Sequence, residues 1–288
     1  VEEGMSELIR IGGVPEHFNL PWHLAIEEGL FEDAGLKVSW KDFPGGTGAM
    51  ARELRHNTID VALILTEGII ADIIKGNKST IVGFYVKSPL TWGVHTSAYN
   101  KFETPEEIQN KLFAISRWGS GSHLMAYVYA QQKGWLRDDF DFRVVANLKG
   151  AREVLGYQGA NMFLWEKFTT KPLVDDGVFR RIGECPTPWP CFVIAVRNEF
   201  IENNEEELKT ILDIINTTTS DFKSIPSIDR TIANRYDQEI EDVQEWLSLT
   251  EWSQSVIDEN TIENVQEELL KLDIISKKVN YSNLVTKI

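Results

Sequence analysis

The feature that most constrains this chain is the alternation of strand-like and helix-like apolar patterns between Leu8 and Val196. Leu8 to Val14 and Lys37 to Phe43 have strand-like patterns, and Asp60 to Leu65 is the continuous apolar run typical of a buried parallel strand. Helix-like segments separate these runs. Because this alternation is typical of sheets joined by crossover helices, it predicts an α/β fold.

A second cycle of the same kind begins near Gly93, and beyond Arg197 the pattern changes to amphipathic helices with acidic outer faces. The breaks fall near Ser88 to Trp92 and near Pro188 to Val193, so the middle segment is predicted to be a domain inserted into the other. Two short crossings predict a hinge, and we expect a ligand to lie between the lobes. The predicted boundaries are 5–91 with 194–288 for the first lobe and 92–193 for the second.

Local signals place several elements. Thr104 to Glu107 has the hydroxyl cap, proline and acidic first turn of a helix start, and Ile69 to Lys75 is predicted as a short helix ended by Gly76. A helix is expected from about Trp165 to Leu173, and Cys191 to Val196 is expected as the last strand.

The charge balance excludes some partners. The chain has 29 basic and 44 acidic side chains and a formal net charge of −15, which argues against nucleic acid or an anionic membrane surface as a partner. Residues 197–288 hold 20 of the acidic and 9 of the basic side chains, so the acidity belongs mainly to the terminal helices. No stretch approaches the roughly 18 apolar residues that a membrane span needs, so membrane insertion is not expected.

The first residues and the cysteines bear on the compartment. Met5 is expected to be the native start, with Val1 to Gly4 added before it, and no secretory signal follows. A cytoplasmic location is therefore predicted, the alternative being a periplasmic or secreted protein whose signal has been removed. Cys185 and Cys191 are too few for a zinc site, and two buried thiols are favoured over one disulfide.

Candidate binding residues are expected in the segments that follow each predicted strand, because ligands of open α/β sheets collect beyond the carboxyl ends of the strands. These segments are rich in aromatic residues, hydroxyls and glycines, as small-molecule clefts are. In the first lobe the candidates are His17, Phe18, Gly46, Thr47, Thr66 and Glu67, and in the inserted segment they are Ser116, Arg117, Trp118, Gly119, Ser120, Trp165, Glu166 and Trp189.

Ser116 to Ser122 is the most informative run. Its glycines allow close approach of a ligand, its hydroxyls and helix-start N–H groups favour an anion, and Arg117 adds a guanidinium. It lacks the Gly-Lys-Ser/Thr ending of a Walker loop, and the alternative is an ordinary capped helix start with a solvated Arg117.

The other candidates suggest contacts with the rest of a ligand. Trp118, Trp165 and Trp189 are predicted to cover its flat or apolar part, although each alone is more often a core residue. Glu67 and Glu166 are expected to accept hydrogen bonds from amino or hydroxyl groups. No nucleophile and base have a recognisable spacing, so a binding protein without cofactor or metal is preferred over an enzyme.

Four stretches of the first predicted lobe together resemble type II periplasmic-binding proteins, in particular those for nitrate, sulfonate, taurine and thiamine-pyrimidine precursors. The stretches are Leu24 to Phe31, Ala34 to Val38, Gly45 to Gly48 and Asp60 to Ala62. Ile115 to His123 is similar to the second-lobe motif of that subgroup, and the resemblance extends over roughly Leu8 to Val196. The chain also resembles a small fungal intracellular family with this fold.

The resemblance implies two lobes, each with a mixed sheet flanked by helices, and the C-terminal helices are expected to pack on the first lobe. By position it implicates Thr47, Thr66, Glu67, Ser116, Arg117, Trp118 and Ser120 in ligand binding.

The predicted function is a small-molecule-binding protein whose lobes close on a polar or anionic organic ligand, such as a sulfonate, phosphate or aminopyrimidine. It would serve thiamine-precursor metabolism or solute uptake, although no feature of the sequence indicates a transporter partner. The alternative is an enzyme similar to thiamine-pyrimidine-precursor synthases, which use pyridoxal phosphate; the stretch from Cys185 to Cys191 lacks their run of cysteines. A third hypothesis is an interaction module formed by the acidic C-terminal helices.

Overall fold

The computed structural model describes residues 7–288, which form two compact units. The first unit comprises the chain up to Ser88 together with Trp189–Ile288, and the second comprises Pro89–Pro188. The chain therefore crosses between the units twice. The predicted boundaries lie a few residues later than these, and the predicted start at Met5 lies outside the described residues.

Ten strands are assigned within residues 7–288. They are β1 (Leu8–Gly13), β2 (Lys37–Asp42), β3 (Val61–Leu65), β4 (Ser79–Val86), β5 (Thr91–Ser97), β6 (Lys111–Ile115), β7 (Phe140–Val144), β8 (Met162–Glu166), β9 (Phe179–Pro186) and β10 (Phe192–Arg197).

Eleven α-helices of the same part of the chain surround the strands. They are α1 (Leu20–Glu27), α2 (Leu30–Asp33), α3 (Gly46–Arg55), α4 (Thr66–Ile74), α5 (Gly121–Lys133), α6 (Leu148–Gly156), α7 (Lys167–Asp175), α8 (Asn198–Asp221), α9 (Ile228–Tyr236), α10 (Ile240–Leu249) and α11 (Glu259–Lys271). None of the described helices is both long enough and apolar enough to cross a membrane.

Each unit contains one five-stranded sheet, and the two sheets are built alike. The first has the order β2-β1-β3-β10-β4 and the second the order β7-β6-β8-β5-β9. In each, the first three strands are parallel, and the fourth strand is antiparallel to its neighbours. The prediction of two mixed sheets flanked by helices is therefore confirmed.

Strand direction brings the candidate segments of the first unit to one edge of its sheet. β1, β2 and β3 run in parallel, so the residues after their last positions meet at this edge. β10 runs the other way, with Phe192 paired to both Leu65 and Val86, so the residues just before Phe192 reach the same edge. We call it the carboxyl edge of the first sheet.

The C-terminal helices pack on the first unit, as predicted. Trp246 of α10 makes an edge-on contact with Phe18, with 5.1 Å between ring centroids, and the Trp252 indole N–H donates to the Phe18 carbonyl at 3.3 Å. Arg235 of α9 forms an ion pair with Glu27 of α1. These aromatic contacts remove large apolar surfaces from water and hold the segment after β1 in place.

Four local predictions differ from the structure. The helix predicted from Thr104 is only a 3-10 turn, Pro105–Glu107, because the chain must enter β6 at Lys111. Helix α4 begins at Thr66 rather than Ile69. Trp165 and Glu166 end β8 instead of opening the next helix, and β9 is a strand that the apolar pattern did not indicate.

Candidate functional site

The segment after β1 is buried among aromatic rings. The His17 imidazole lies 3.9 Å from Trp246 and 5.5 Å from Phe18, measured between ring centroids, and only 3% of His17 is exposed. Burial lowers the pKa of His17 to about 3, so its ring is neutral at physiological pH. The Phe18 carbonyl accepts hydrogen bonds from Tyr85 and Trp252. Both residues thus contribute to the packing of the C-terminal helices on the first unit.

The segment after β2 begins α3 and fixes the start of α4. Gly46 has a φ of +72°, a left-handed conformation that favours glycine, and space is open around the position of its missing side chain. The Thr47 hydroxyl accepts a hydrogen bond from the Leu65 N–H at 3.3 Å. A side chain at Gly68 would come within 2.3 Å of the Thr47 methyl group, so only glycine permits this close packing.

The segment after β3 places Thr66 and Glu67 in the first turn of α4, where both are buried. The Trp189 indole N–H donates to Glu67 Oε2 at 2.7 Å. Glu67 Oε1 and the Thr66 hydroxyl are buried without a hydrogen-bond partner in the described residues. Burial raises the pKa of Glu67 to about 7, so the group titrates near neutral pH.

Trp189 belongs to the first unit, whereas the sequence predicts it in the inserted segment. The antiparallel return of β10 explains the difference, since its register sets Phe192 against Leu65 and brings the preceding residues to the start of α4. Trp189 is 4% exposed.

In the second unit, three serine hydroxyls converge where β6 passes into α5. Ser122 Oγ lies 3.3 Å from Ser116 Oγ and 3.1 Å from Ser120 Oγ, and it accepts the Ser116 N–H at 2.9 Å. All three serines are buried. We call these residues the serine cluster.

The serine cluster also forms the N-terminal cap of α5. Ser120 is the N-cap, and its hydroxyl accepts from the backbone N–H groups of His123 at 3.3 Å and Arg117 at 3.4 Å. The N–H groups of Gly121 and Ser122, in the first turn of this helix, have no preceding turn to bond to, so they can bind an anion.

His123, at the start of α5, is a further candidate residue that is not among those predicted from the sequence. Its Nδ1 accepts the Gly119 N–H at 2.8 Å, which requires a neutral ring, and burial lowers its pKa. The Ser120 hydroxyl accepts the His123 N–H, and the His123 ring accepts the N–H of the residue before Ser120, so the pair resembles a capping box displaced by one residue. The sequence signal that could have identified His123 is its three-residue spacing from Ser120, because its side chain can accept a hydrogen bond.

The loop before α5 exposes an aromatic ring. Gly119 has a φ of +80° and open space at its missing side chain, and Trp118 beside it is 63% exposed. The Trp118 ring makes edge contacts with His123 and Phe142. Arg117, the second residue after β6, is half-buried.

Trp165 and Glu166, at the end of β8, have contacts within the second unit. Trp165 stacks on Phe163 at 5.3 Å and packs against the hydrophobic core. Glu166 is the N-cap of α7: one carboxylate oxygen accepts from the Phe168 N–H, and the other accepts from the N–H and hydroxyl of Thr169. Both oxygens of Glu166 thus have hydrogen-bond partners in α7. The three candidate tryptophans have three different environments, exposed, packed on a core and hydrogen-bonded to Glu67.

The two cysteines are free and buried, as favoured from the sequence. Burial raises the pKa of Cys185 to about 12, so its thiol is unreactive at neutral pH. Each unit thus has its own group of candidate residues. In the first unit the group is Thr47, Thr66, Glu67 and Trp189 at the carboxyl edge of the sheet, and in the second it is the serine cluster with its loop.

Comparison with known proteins adds the family context. Residues 92–185 match the protein family described as Ca3427-like PBP. The Candida albicans CA3427 gene product, described as defining a new family with the generic periplasmic binding protein fold, is 27% identical, with a TM-score of 0.89 over 98% of this chain and 96% of that one. The chain has the type II periplasmic-binding-protein fold.

Other proteins of this periplasmic-binding-protein fold are similar in structure and distant in sequence. The alkanesulfonate-binding protein SsuA from Xanthomonas axonopodis pv. citri, solved with MOPS bound, is 15% identical with a TM-score of 0.81, covering 98% of both chains. The nitrate-binding protein NrtA from Synechocystis PCC 6803 is 13% identical with a TM-score of 0.70, over 95% of this chain and 83% of that one. No curated protein matches the sequence.

Proposed function

We propose that this protein binds a small organic molecule with an anionic or strongly polar group, and that its two lobes close on that ligand. The observation that carries the proposal is the serine cluster, where three buried hydroxyls meet at the N-terminus of a 13-residue helix. Hydroxyls and first-turn N–H groups are donors suited to a sulfonate, phosphate or carboxylate. SsuA and NrtA, which share the fold, are described as binding alkanesulfonates and nitrate.

The net charge of −15 does not oppose an anionic ligand. The acidic excess lies mainly in residues 197–288, whereas the serine cluster lies in the inserted unit beside Arg117. A role in thiamine-precursor metabolism or in uptake is part of the same proposal, as a use to which such a ligand would be put.

A thermal-shift screen tests the proposal. The probes are alkanesulfonates, alkyl phosphates, aminopyrimidines and pyridoxal phosphate at millimolar concentration. Since a ligand that binds only the folded state adds about 2.7 kcal/mol at one hundred times its Kd, a binding probe raises Tm by several degrees. If no probe raises Tm, the proposed ligand class is wrong.

Two serine variants test whether the anionic group of the ligand binds at the serine cluster. Ser122→Ala removes the central hydroxyl of the serine cluster, and Ser79→Ala removes another buried serine, at the start of β4, whose hydroxyl donates to Asn77 at 2.8 Å. Each loses a buried hydrogen bond, and we expect each to lower the free energy of unfolding by about 1 kcal/mol. Only Ser122→Ala is expected to weaken binding of the anionic probe. Equal affinities in the two variants would remove the serine cluster from the site.

A further inference from the structure

A buried carboxyl group with one unpartnered oxygen lies at the carboxyl edge of the first sheet. Glu67 is 2% exposed. Its Oε2 accepts a hydrogen bond from the Trp189 indole N–H, and its Oε1 has no hydrogen-bond partner in the described residues. The hydroxyl of the preceding Thr66 is buried and unpartnered as well. Burying polar atoms without partners costs stability, so a pair of them at a predicted binding edge indicates groups that await a ligand.

The surroundings of Glu67 keep its carboxyl group in place. The Trp189 indole donates at 2.7 Å and so fixes one oxygen. Thr47 fixes the start of α4, because Gly68 packs directly on its methyl group and the Leu65 N–H donates to its hydroxyl. The unpartnered Oε1 is therefore a fixed feature of the fold, as preorganised binding groups are.

Glu166, the N-cap of α7, shows how a buried glutamate in the other sheet finds its hydrogen-bond partners by capping a helix. It is buried like Glu67, but it lies at the N-cap, two helix positions before the place of Glu67 in α4, and both its oxygens accept hydrogen bonds from the first turn of α7. Within residues 7–288, the side-chain partner of the Glu67 carboxyl group is the indole of Trp189, at Oε2. Helix capping explains the burial of the Glu166 carboxylate, but no such role explains why Glu67 Oε1 is buried without a partner.

We propose that Glu67 Oε1 binds an amino group, so that the ligand of this protein carries an N–H donor, most favourably an ammonium, in addition to its acidic or polar group. The inference rests on the proposed function, since it names the chemistry of one part of the same ligand. A buried carboxylate gains most from a partner that both donates a hydrogen bond and compensates its charge. A second anionic group at this position would be repelled.

The Thr66 hydroxyl, in the same helical turn, supplies a further donor or acceptor to such a ligand. The raised pKa of Glu67 fits this role, because an arriving ammonium displaces the proton that burial favours in the unliganded protein.

Matched pairs of probes that differ in one amino group test the inference. The pairs are taurine with ethanesulfonate, 2-aminoethyl phosphate with ethyl phosphate, and 4-aminopyrimidine with pyrimidine. Titration calorimetry at about pH 8, where Glu67 is mostly ionised, measures each affinity. We expect the amine of each bound pair to bind roughly tenfold or more tightly, as a charge-assisted hydrogen bond provides.

Glu67→Gln is the deciding variant. Its amide oxygen still accepts from Trp189, whereas its NH₂ group replaces the acceptor with a donor, so the preference for the amine should disappear. Asp60→Asn is the matched control, because Asp60 is a buried acid at the other end of β3, held by Arg10 and Arg197. It should keep the wild-type preference.

The outcomes separate this inference from the proposed function. If probes bind without preference for the amine, or if Glu67→Gln keeps the preference, the role of Glu67 is wrong and the proposed function stands. If no member of any pair binds, the proposed function is wrong and the inference is overturned with it. Preference in the wild type and in Asp60→Asn, lost in Glu67→Gln, supports the inference.

Discussion

Strand β3 has a buried acidic residue at each end, and the structure surrounds the two in opposite ways. Asp60, before the strand, accepts from the Arg10 backbone N–H at 2.9 Å and forms ion pairs with Arg10 at 3.0 Å and Arg197 at 2.7 Å. Glu67, after the strand, has the neutral indole of Trp189 at one oxygen and no partner at the other within the described chain.

The pKa values follow these surroundings. Burial raises the pKa of Asp60, but hydrogen bonds from Arg10 and Arg197 outweigh it, and the pKa lies below its usual value. Burial alone dominates at Glu67 and raises its pKa to about 7. The amino end of the strand is thus built for stability, whereas its carboxyl end lowers stability, as groups reserved for a ligand commonly do.

The largest expected effect is at the Asp60 end. Asp60→Asn leaves two guanidinium groups beside a neutral amide, and we expect it to lower the free energy of unfolding at neutral pH by about 3 kcal/mol. Because the folded-state pKa of Asp60 is depressed, this stabilisation is present above the usual pKa of aspartate and is lost as pH falls through the folded value. Urea unfolding measures the difference.

Asp175→Asn is the control for that measurement. Asp175 forms an exposed i,i+4 pair with Lys171 in α7, so its loss is expected to change the free energy of unfolding by less than about 0.5 kcal/mol. Equal stabilities of Asp60→Asn and wild type would show that the two arginines do not hold Asp60 as described.

A second effect, of similar size, is expected at Glu67, where stability falls as pH rises instead of increasing. The folded-state pKa of Glu67 is raised, so its contribution is fully present below the unfolded pKa of 4.5 and is lost as pH rises to about 7. Glu67→Gln has no such titration. Between about pH 4 and pH 8, stability should therefore shift in favour of the variant by about 3 kcal/mol, which urea unfolding at several pH values would measure. Parallel pH profiles of the two proteins would contradict the raised pKa.

Much of this arrangement was predictable from periodicity and residue type. The alternation of patterns identified most strands, and the rule of strand ends selected Thr66, Glu67 and Ser116 correctly as residues that follow strands. Strand β9 was missed because charged residues interrupt its apolar positions at the edge of the sheet.

The partner of Glu67 could not be predicted, because it depends on a register between distant strands. Trp189 and Glu67 are 122 positions apart, and the antiparallel pairing of β10 with β3 brings them together. The capping role of Glu166 could have been predicted, since Thr169 stands three residues later and offers both an N–H and a hydroxyl. Glu67 lies inside the first turn of α4 rather than at its N-cap, so the same capping role is not open to it.

The smallest expected effect concerns the Trp189 indole, which donates to one oxygen of Glu67 and not to the other. Trp189→Phe keeps an aromatic ring and removes the N–H, so the ionised carboxylate loses its donor. We expect the free energy of unfolding at about pH 8 to fall by about 1.5 kcal/mol, with a smaller loss at about pH 5, where Glu67 is protonated. The pKa of Glu67 should also rise further, moving the pH range in which stability is lost upward.

A double-mutant cycle isolates this contact. In the Glu67→Gln background, Trp189→Phe removes a bond to a neutral amide oxygen, so its cost should be smaller and should not depend on pH. An equal loss in both backgrounds that does not change with pH would mean that Trp189 acts through packing alone. The hydrogen bond would then play no part in setting the pKa of Glu67, and the contrast between the two ends of β3 would rest on the arginines at Asp60 alone.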